Sequence, residues 1–218
     1  MGTKERHDRE RQAVTDSILD AARELFVIEG YDTVSIRKIA ERIEYSPAAI
    51  YSYYPSKDDI FLALAKEGFH RLDAKVRSAM VFEDALENVR ACWWAFYEFS
   101  KEQPEYFLLM FVDRSVPRIT QQWDGFEFLQ QLLANAVNAI QKATDAGAFP
   151  ATLSPDAAMH MLWAGLIGPA VVGIRHRLNS GEDYDALARD VLNATIAGLR
   201  AGVTTTFVSC KCAEEGTA

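Results

Sequence analysis

Residues 35–57 read SIRKIAERIEYSPAAIYSYYPSK and contain two short segments whose apolar residues recur at helical spacing. Ser35 precedes the first segment as a helix N-cap, and Pro47 stands where the first turn of the second helix tolerates proline. About three residues, 44–46, join the two. Two short helices with such a connection are typical of a helix-turn-helix, whose second helix enters the major groove of DNA.

Helical spacing also dominates the chain on either side of this stretch. Upstream, an apolar stripe over 14–26 forms a helix that Gly30 ends, and downstream Ser56 caps a helix that runs to about residue 80. Longer helices are predicted over about 83–102, 105–112, 117–146, 155–177 and 184–201. Strand patterns are nearly absent, apart from a short candidate at 203–208. The sequence therefore predicts an all-α fold of about nine helices, with an N-terminal three-helix helix-turn-helix domain and a larger C-terminal helical domain.

Composition limits the classes of function. The chain has 218 residues and a net charge of −8. Residues 1–72 contain 11 Lys and Arg and 13 Asp and Glu, which gives this part a net charge of −2. The remaining residues contain 12 Lys and Arg and 18 Asp and Glu, which gives them a net charge of −6. This balance disfavours a protein that coats nucleic acid nonspecifically, but it allows a specific DNA binder with one small basic face. Residues 1–11 lack the apolar core of a signal peptide, and we see no apolar run of the roughly 20 residues that span a bilayer, so we expect a cytoplasmic protein.

The cysteines and histidines give no evidence of an active site. Cys92 lies among aromatic residues and is expected to be a buried thiol. Cys210 and Cys212 could form a metal or redox pair, but a frayed tail is the favoured interpretation, since no further ligand completes a set. The histidines are scattered, at positions 7, 70, 160 and 176. We therefore expect no metal, no cofactor and no enzymatic activity.

Several ordered blocks within residues 18–64 resemble the DNA-binding domain of the tetracycline-repressor (TetR) family of transcriptional regulators. These blocks are ILDAARELF at 18–26, GY at 30–31, IA at 39–40 and, most specific, SPAAIYSYYPSK at 46–57. The resemblance covers about the first third of the chain. It implies a sequence-specific DNA-binding regulator. The commoner mode in this family is a repressor that a small apolar or aromatic effector releases from its operator.

The resemblance also implies which residues contact DNA. The resemblance implies that Tyr51, Tyr53 and Lys57 contact DNA phosphates. It also implies that Ser35 and Arg37 hold the DNA backbone at the start of the first helix. The residues implied to face the groove are Ser46, Pro47, Ala48, Ala49 and Ser52. The second helix has no Lys, Arg, Asn or Gln, so thymine methyl contacts, serine hydrogen bonds, Arg37 and DNA shape must provide specificity.

Two positions depart from the family pattern. Glu44 stands where the turn commonly holds glycine, and Tyr45 replaces a small aliphatic residue. A carboxylate near phosphates is unfavourable, so we expect Glu44 to point away from DNA or to pair with Arg42.

The predicted organisation has four parts. Residues 1–11 form a flexible tail of mixed charge, which either contacts the DNA or remains a solvated end. Residues 12–72 form the DNA-binding domain, with the helix-turn-helix at 35–54. Residues 73–203 form a domain for effector binding and dimerisation, and residues 204–218 form a C-terminal tail.

Clustered aromatic residues in the downstream part could line an effector cavity or simply fill a core, and the resemblance favours a cavity. The candidate ligand-binding residues are Trp93, Trp94, Tyr97, Phe107, Met110, Phe111, Trp123, Phe126 and Trp163. An all-helical carrier of apolar molecules with no DNA role would also explain these aromatics, but it would not explain the block at 46–57.

The segment LWAGLIGPAVVGI, residues 162–174, resembles a W-x-G-x-x-G segment in the penultimate helix of one TetR subgroup. The resemblance implies that the last two helices pair with those of a second copy in a four-helix interface. The candidate dimer residues are Trp163, Gly165, Gly168, Val172, Leu192 and Ile196. Two recognition helices about 34–36 Å apart would then read a palindromic operator.

Overall fold

A computed structural model describes residues 3–112, 127–174 and 181–207. Within these residues the chain forms nine α-helices and no strand, which confirms the all-α prediction. The helices are α1 (Thr3–Glu29), α2 (Ile36–Arg42), α3 (Pro47–Tyr51), α4 (Lys57–Ala79), α5 (Ala85–Glu102), α6 (Pro104–Phe111), α7 (Glu127–Asp145), α8 (Pro155–Ile174) and α9 (Tyr184–Ala201). A 3₁₀ turn, Tyr31–Thr33, lies between α1 and α2. The candidate strand at 203–208 is wrong for residues 203–207, which have no regular secondary structure.

Helix α1 extends further towards the N-terminus than expected. It begins at Thr3, so the prediction of a flexible tail over 1–11 is wrong for its described part. The alternating charges place partners one helical turn apart: Arg6 Nε donates to Glu10 at 2.8 Å, and Gln12 Nε2 donates to Asp16 at 2.7 Å. Such i,i+4 pairs each stabilise a helix by roughly 0.2–0.5 kcal/mol. The charge pattern therefore stabilises a helix in the described part of residues 1–11, where the sequence had suggested a flexible tail.

Contacts divide the chain into two compact units. The described part of unit 1 is residues 3–70 and 103–112, and that of unit 2 is residues 71–102, 127–174 and 181–207. The division after His70 lies near the expected boundary at residue 72, although α6 groups with unit 1 rather than with the downstream helices. Whether the units match the proposed functional domains stays a prediction.

Unit 1 has a continuous apolar core between α1, the short helices and the start of α4. Its fully buried side chains include Ile18, Phe26, Ile39, Ile50 and Phe61. The rings of Phe26, Tyr31 and Phe61 contact one another, with centroid separations of 5.0–5.8 Å. This core fixes α2 and α3 against the longer helices.

Helix α6 is held in unit 1 by a polar cluster and by close packing. Arg23 of α1 donates from Nε to Glu105 at 2.7 Å and from Nη1 to the Tyr106 hydroxyl at 3.0 Å. Burial opposes the charge on Arg23, but these hydrogen bonds outweigh it and raise the pKa of the guanidinium. On α4, a Cβ at Gly68 would lie 2.5 Å from Met110 Sδ, so the absent side chain is what admits α6. These contacts explain why α6 belongs with the N-terminal helices.

Unit 2 is organised around α5, which packs against α7, α8 and α9. Asp185, in the first turn of α9, accepts from the Tyr97 hydroxyl at 2.9 Å and from Lys101 Nζ at 2.6 Å. The hydrogen bond from Lys101, followed by that from Tyr97, lowers the pKa of Asp185 against the opposing effect of burial. Cys92 is the buried thiol that was expected, and burial raises its pKa to about 12. Cys210 and Cys212 lie outside the described residues.

Two of the expected dimer residues are wrong. Leu192 and Ile196 are only 3% and 2% exposed, because they face the core of their own protomer from α9. Gly165 also serves a contact within the protomer: a Cβ there would lie 3.2 Å from Val191 Cγ1. By contrast, Trp163 is 38% exposed and Gly168 borders open space. Val172 is half-buried, and the most exposed part of α8 is the face bordered by Trp163 and Gly168.

Among the described helices, α8 is long and apolar enough to cross a membrane by length and composition alone. No such segment was expected from the sequence. In the structure α8 packs against α5, α7 and α9, and the same criteria are met by the central helix of a helical bundle.

Candidate nucleic-acid interface

Helices α2 and α3 are each defined by a serine cap. The Ser35 side chain accepts from the backbone N–H of Lys38 at 3.3 Å, and the Ser46 side chain accepts from that of Ala49 at 3.1 Å. Each cap satisfies a backbone donor that the helix itself leaves unpaired. Ile50, which is fully buried, anchors the inner side of α3. The helix-turn-helix predicted from the sequence is therefore present.

The outer side of α3 is open to solvent. Ser46, Pro47, Ala48 and Ser52 are exposed, Ala49 is half-buried and Tyr51 is 53% exposed. Small side chains on an exposed helix allow its backbone to approach base edges, and the Tyr51 hydroxyl can donate to a phosphate. The expected groove-facing residues thus share one accessible surface, and their contacts with DNA stay a prediction.

The two backbone clamps proposed on α2 are also accessible. Ser35 and Arg37 are both exposed. Arg37 Nε donates to Glu41 at 2.8 Å across one turn of α2. Exposed pairs of this kind stabilise by only about 0.3–0.5 kcal/mol, so a phosphate can compete for the guanidinium.

Tyr53 and Tyr54 face different environments. The guanidinium of Arg11, in α1, lies over the Tyr53 ring at 5.1 Å from its centroid. Tyr54 is half-buried, and burial together with Asp16 and Glu67 raises the pKa of its hydroxyl. The ring of Tyr53 therefore lies beside a basic side chain, whereas acidic side chains influence the Tyr54 hydroxyl. The sequence placed Arg11 in a tail that could contact DNA, but no local pattern indicates that α1 reaches this tyrosine.

Lys57 has a structural contact that the sequence did not indicate. Its ammonium donates to the backbone carbonyls of Tyr31 at 2.7 Å and Val34 at 2.9 Å, and it lies 4.0 Å from the centroid of the Tyr31 ring. The Tyr31 hydroxyl in turn donates to Asp58. Lys57 thus ties the start of α4 to the turn before α2. Its implied phosphate contact stays a prediction, and any variant of Lys57 would also disturb this tether.

The turn between α2 and α3 explains why glycine is common there. Glu44 has φ +59°, in the left-handed region where a side chain is strained. The following residue closes the turn, with Tyr45 N–H donating to Ala40 O at 2.9 Å. The expected pairing of Glu44 with Arg42 is not found: Arg42 Nη2 donates instead to Glu24 at 2.8 Å. Glu44 is exposed, so its carboxylate adds a negative charge close to the candidate DNA surface.

Replacing Glu44 with glycine is expected to increase both stability and DNA affinity. Releasing a left-handed non-glycine residue stabilises the fold by about 1 kcal/mol, and removing the carboxylate removes repulsion of phosphates. Glu44→Gln is the matched control, because it removes the charge and keeps the backbone strain. Thermal denaturation should separate the two variants, whereas a DNA-binding titration should improve for both. A fall in stability for Glu44→Gly would contradict this account.

The expected ligand-binding residues are divided between the two units. In unit 2, Trp93 is 5% exposed, Trp94 is half-buried, and Tyr97 is buried with its hydroxyl bonded to Asp185. Phe107, Met110 and Phe111 belong to unit 1. Trp163 is 38% exposed in the protomer, and its ligand assignment stays a prediction. Trp123 and Phe126 lie outside the described residues.

Within unit 2, the two adjacent tryptophans differ in one respect. Trp94 Nε1 donates to Glu98 at 3.0 Å, and the Arg189 guanidinium lies 4.3 Å from the centroid of its ring. Trp93 packs edge-on against Phe96, yet its buried Nε1–H has no acceptor among the described residues. A buried donor without an acceptor costs about 1–3 kcal/mol, so it calls for an explanation.

Comparison with known proteins adds a family assignment to this geometry. Residues 18–64 match the family described as bacterial regulatory proteins, tetR family. Over these residues the chain is therefore similar to the DNA-binding segment of the tetR family. It is 27% identical to the transcriptional activator FasR of Mycolicibacterium smegmatis over 77% of this chain and 74% of FasR. It is 30% identical to the transcriptional repressor KstR of the same organism over 36% of each chain.

Solved structures agree in fold. FadR, the fatty acid degradation regulator from Bacillus halodurans, aligns with a TM-score of 0.72 at 22% identity, covering 85% of this chain and 96% of FadR. The ketosteroid transcriptional regulator KstR2 of Mycobacterium tuberculosis aligns with a TM-score of 0.66 at 17% identity. The alignment covers 85% of this chain and 94% of KstR2. The named relatives are transcriptional regulators and not enzymes. The chain described here is a helix-turn-helix transcriptional regulator that binds DNA.

Proposed function

We propose that this regulator is an effector-responsive repressor that binds a palindromic operator as a homodimer in the bacterial cytoplasm. The observation that supports DNA recognition is the exposed surface of α3, with small side chains at Ser46, Pro47 and Ala48 and an exposed hydroxyl at Tyr51. A five-residue helix contacts few base pairs, so a second copy one DNA turn away is needed for selectivity.

An effector site in unit 2 is supported by the indole N–H of Trp93. An apolar ligand that carries one hydrogen-bond acceptor would satisfy this donor and keep the aromatic surroundings dry. Two structural relatives are named for fatty acid degradation and for ketosteroids, and both ligand classes combine an apolar body with a carbonyl oxygen. We infer that an apolar carbonyl compound of this kind releases the repressor from its operator.

The DNA-binding part of this proposal is tested by selection from a pool of random duplexes. The purified chain should enrich one sequence, and that sequence should have two-fold symmetry with half-sites about one turn apart. Enrichment of a sequence without symmetry would contradict the dimeric operator. No enrichment above the starting pool would overturn sequence-specific binding and would favour the alternative of a helical carrier.

Trp93→Phe is expected to impair effector binding and leave DNA binding intact. The variant keeps an aromatic ring and removes only the unpaired donor. A single hydrogen bond is worth about 1–1.5 kcal/mol, which corresponds to roughly a tenfold loss of affinity. Binding of a long-chain fatty acid and of a ketosteroid should be measured by calorimetry, with gel shifts on the selected duplex.

Trp94→Phe is the matched control, since the Trp94 donor is already bonded to Glu98. It should leave ligand affinity unchanged within about twofold. Equal losses in the two variants, or no binding of either probe to the unaltered chain, would count against an acceptor-bearing ligand at Trp93.

A further inference from the structure

The first turns of α1 sort their charges by face. Successive residues of an α-helix are separated by about 100°, so Lys4, His7 and Arg11 lie within about 60° of one another and on the side of the buried Ile18. These basic side chains therefore lie on the same face of α1 as the buried Ile18, but closer to the N-terminus, where the face is no longer covered by the core. All three residues are exposed.

Most of the neighbouring charges lie on the other sides of the helix, where they are paired, whereas Asp8 lies beside Lys4 on the basic face. Arg6 Nε donates to Glu10 at 2.8 Å, and Arg9 Nε donates to the Glu5 carbonyl at 3.2 Å. By the same helical spacing, Arg6 and Arg9 lie on the opposite side from Arg11. Within the described part of the chain, no ion pair involves Lys4 or Arg11. The face carries Lys4 and Arg11 against the single carboxylate of Asp8, so it keeps a net positive charge.

One contact joins this face to the candidate DNA surface. The Arg11 guanidinium lies over the ring of Tyr53, which directly follows the recognition helix and its Ser52 cap. With a rise of about 1.5 Å per residue, Lys4 lies about 10 Å beyond Arg11 along α1. Phosphates on one DNA strand recur every 3.4 Å of axis, so about 10 Å spans roughly three of them.

We propose that Lys4 and Arg11 bind backbone phosphates beside the bases that α3 contacts, so that the start of α1 extends the DNA footprint of each protomer. The proposal rests on the DNA-binding function proposed above. The occupant is DNA rather than an acidic protein, because the basic face is continuous with the exposed side of α3 through Tyr53. The remaining surface of α1 carries paired charges of both signs and has no such continuity.

The test is the salt dependence of binding to the selected duplex. Each phosphate contact contributes about 0.9 to the slope of log K against log salt, so Lys4→Ala with Arg11→Ala should lower its magnitude by roughly 3–4 in a dimer. Arg6→Ala with Arg9→Ala is the matched control, because it removes the same charge from the opposite side of α1. The control should change the slope by less than about 1.

Three results would overturn the proposal, and one of them also overturns the function on which it rests. If the unaltered chain selects no duplex, both the DNA-binding function and this surface are wrong. If it binds but the two double variants have equal slopes, only the surface is wrong. If Arg11→Ala lowers the slope and Lys4→Ala alone does not, Arg11 merely positions Tyr53. Equal thermal denaturation midpoints for all variants would show that the differences in salt slope do not come from unfolding.

Discussion

Ala48→Glu is expected to abolish specific DNA binding without unfolding the chain. Ala48 is exposed near the start of α3, where a close approach to base edges requires a small side chain. A carboxylate placed against DNA adds like-charge repulsion of several kcal/mol, which corresponds to a loss of roughly 100-fold or more in affinity. Alanine and glutamate differ little in helix propensity, so the free energy of unfolding should change by less than about 1 kcal/mol.

Ala134→Glu is the matched control, since it adds the same charge at an exposed position of α7 in unit 2. Gel shifts and thermal denaturation should be measured for both variants. The control should bind the selected duplex within about threefold of the unaltered chain, because it adds the same charge and leaves the surface of α3 unaltered. Equal losses in the two variants would mean that net charge, and not the surface of α3, governs binding.

Local sequence signals sufficed for the helix-turn-helix. The caps at Ser35 and Ser46 act on backbone donors three residues away, so the sequence alone indicates them. The resemblance to the TetR family implied glycine at position 44, and the observed φ of Glu44 supplies the physical reason for that pattern. The parts of the candidate site that depend on adjacent residues were therefore predictable.

The parts that depend on distant residues were not. The bond from Lys57 to the Tyr31 carbonyl and the stacking of Arg11 on Tyr53 join segments 26 and 42 positions apart, and no spacing rule predicts them. Helix α6 was assigned downstream from its place in the chain, whereas Arg23 pairs with Glu105 and holds it in unit 1. Such contacts follow from tertiary packing, which a single sequence does not specify.

The same limit explains the error on α9. An apolar stripe shows that one side of a helix is buried, but it does not show whether the burial is within a protomer or between two. Leu192 and Ile196 proved to face their own core, which leaves the interface to other residues. On α8 these are Trp163 and Gly168, and on α9 the exposed large residue is Leu187, at 42%.

Trp163→Glu is accordingly expected to convert the proposed dimer into monomers and to weaken operator binding by roughly 100-fold or more. A large aromatic residue near the centre of an interface commonly contributes 2 kcal/mol or more, and each two-fold dimer contains it twice. Loss of the dimer removes the second recognition helix, so only one half-site is held. Sedimentation equilibrium and binding to the selected duplex measure the two effects.

Leu192→Ala distinguishes the two kinds of burial. Because Leu192 lies inside the protomer, its truncation should cost about 2–5 kcal/mol of folding free energy, while the residual folded protein stays dimeric. Trp163→Glu should show the opposite pattern, with an unchanged fold and a lost dimer, since a side chain that is 38% exposed in the protomer contributes little to its core. A dimeric Trp163→Glu variant that still binds the operator tightly would move the interface away from this side of α8.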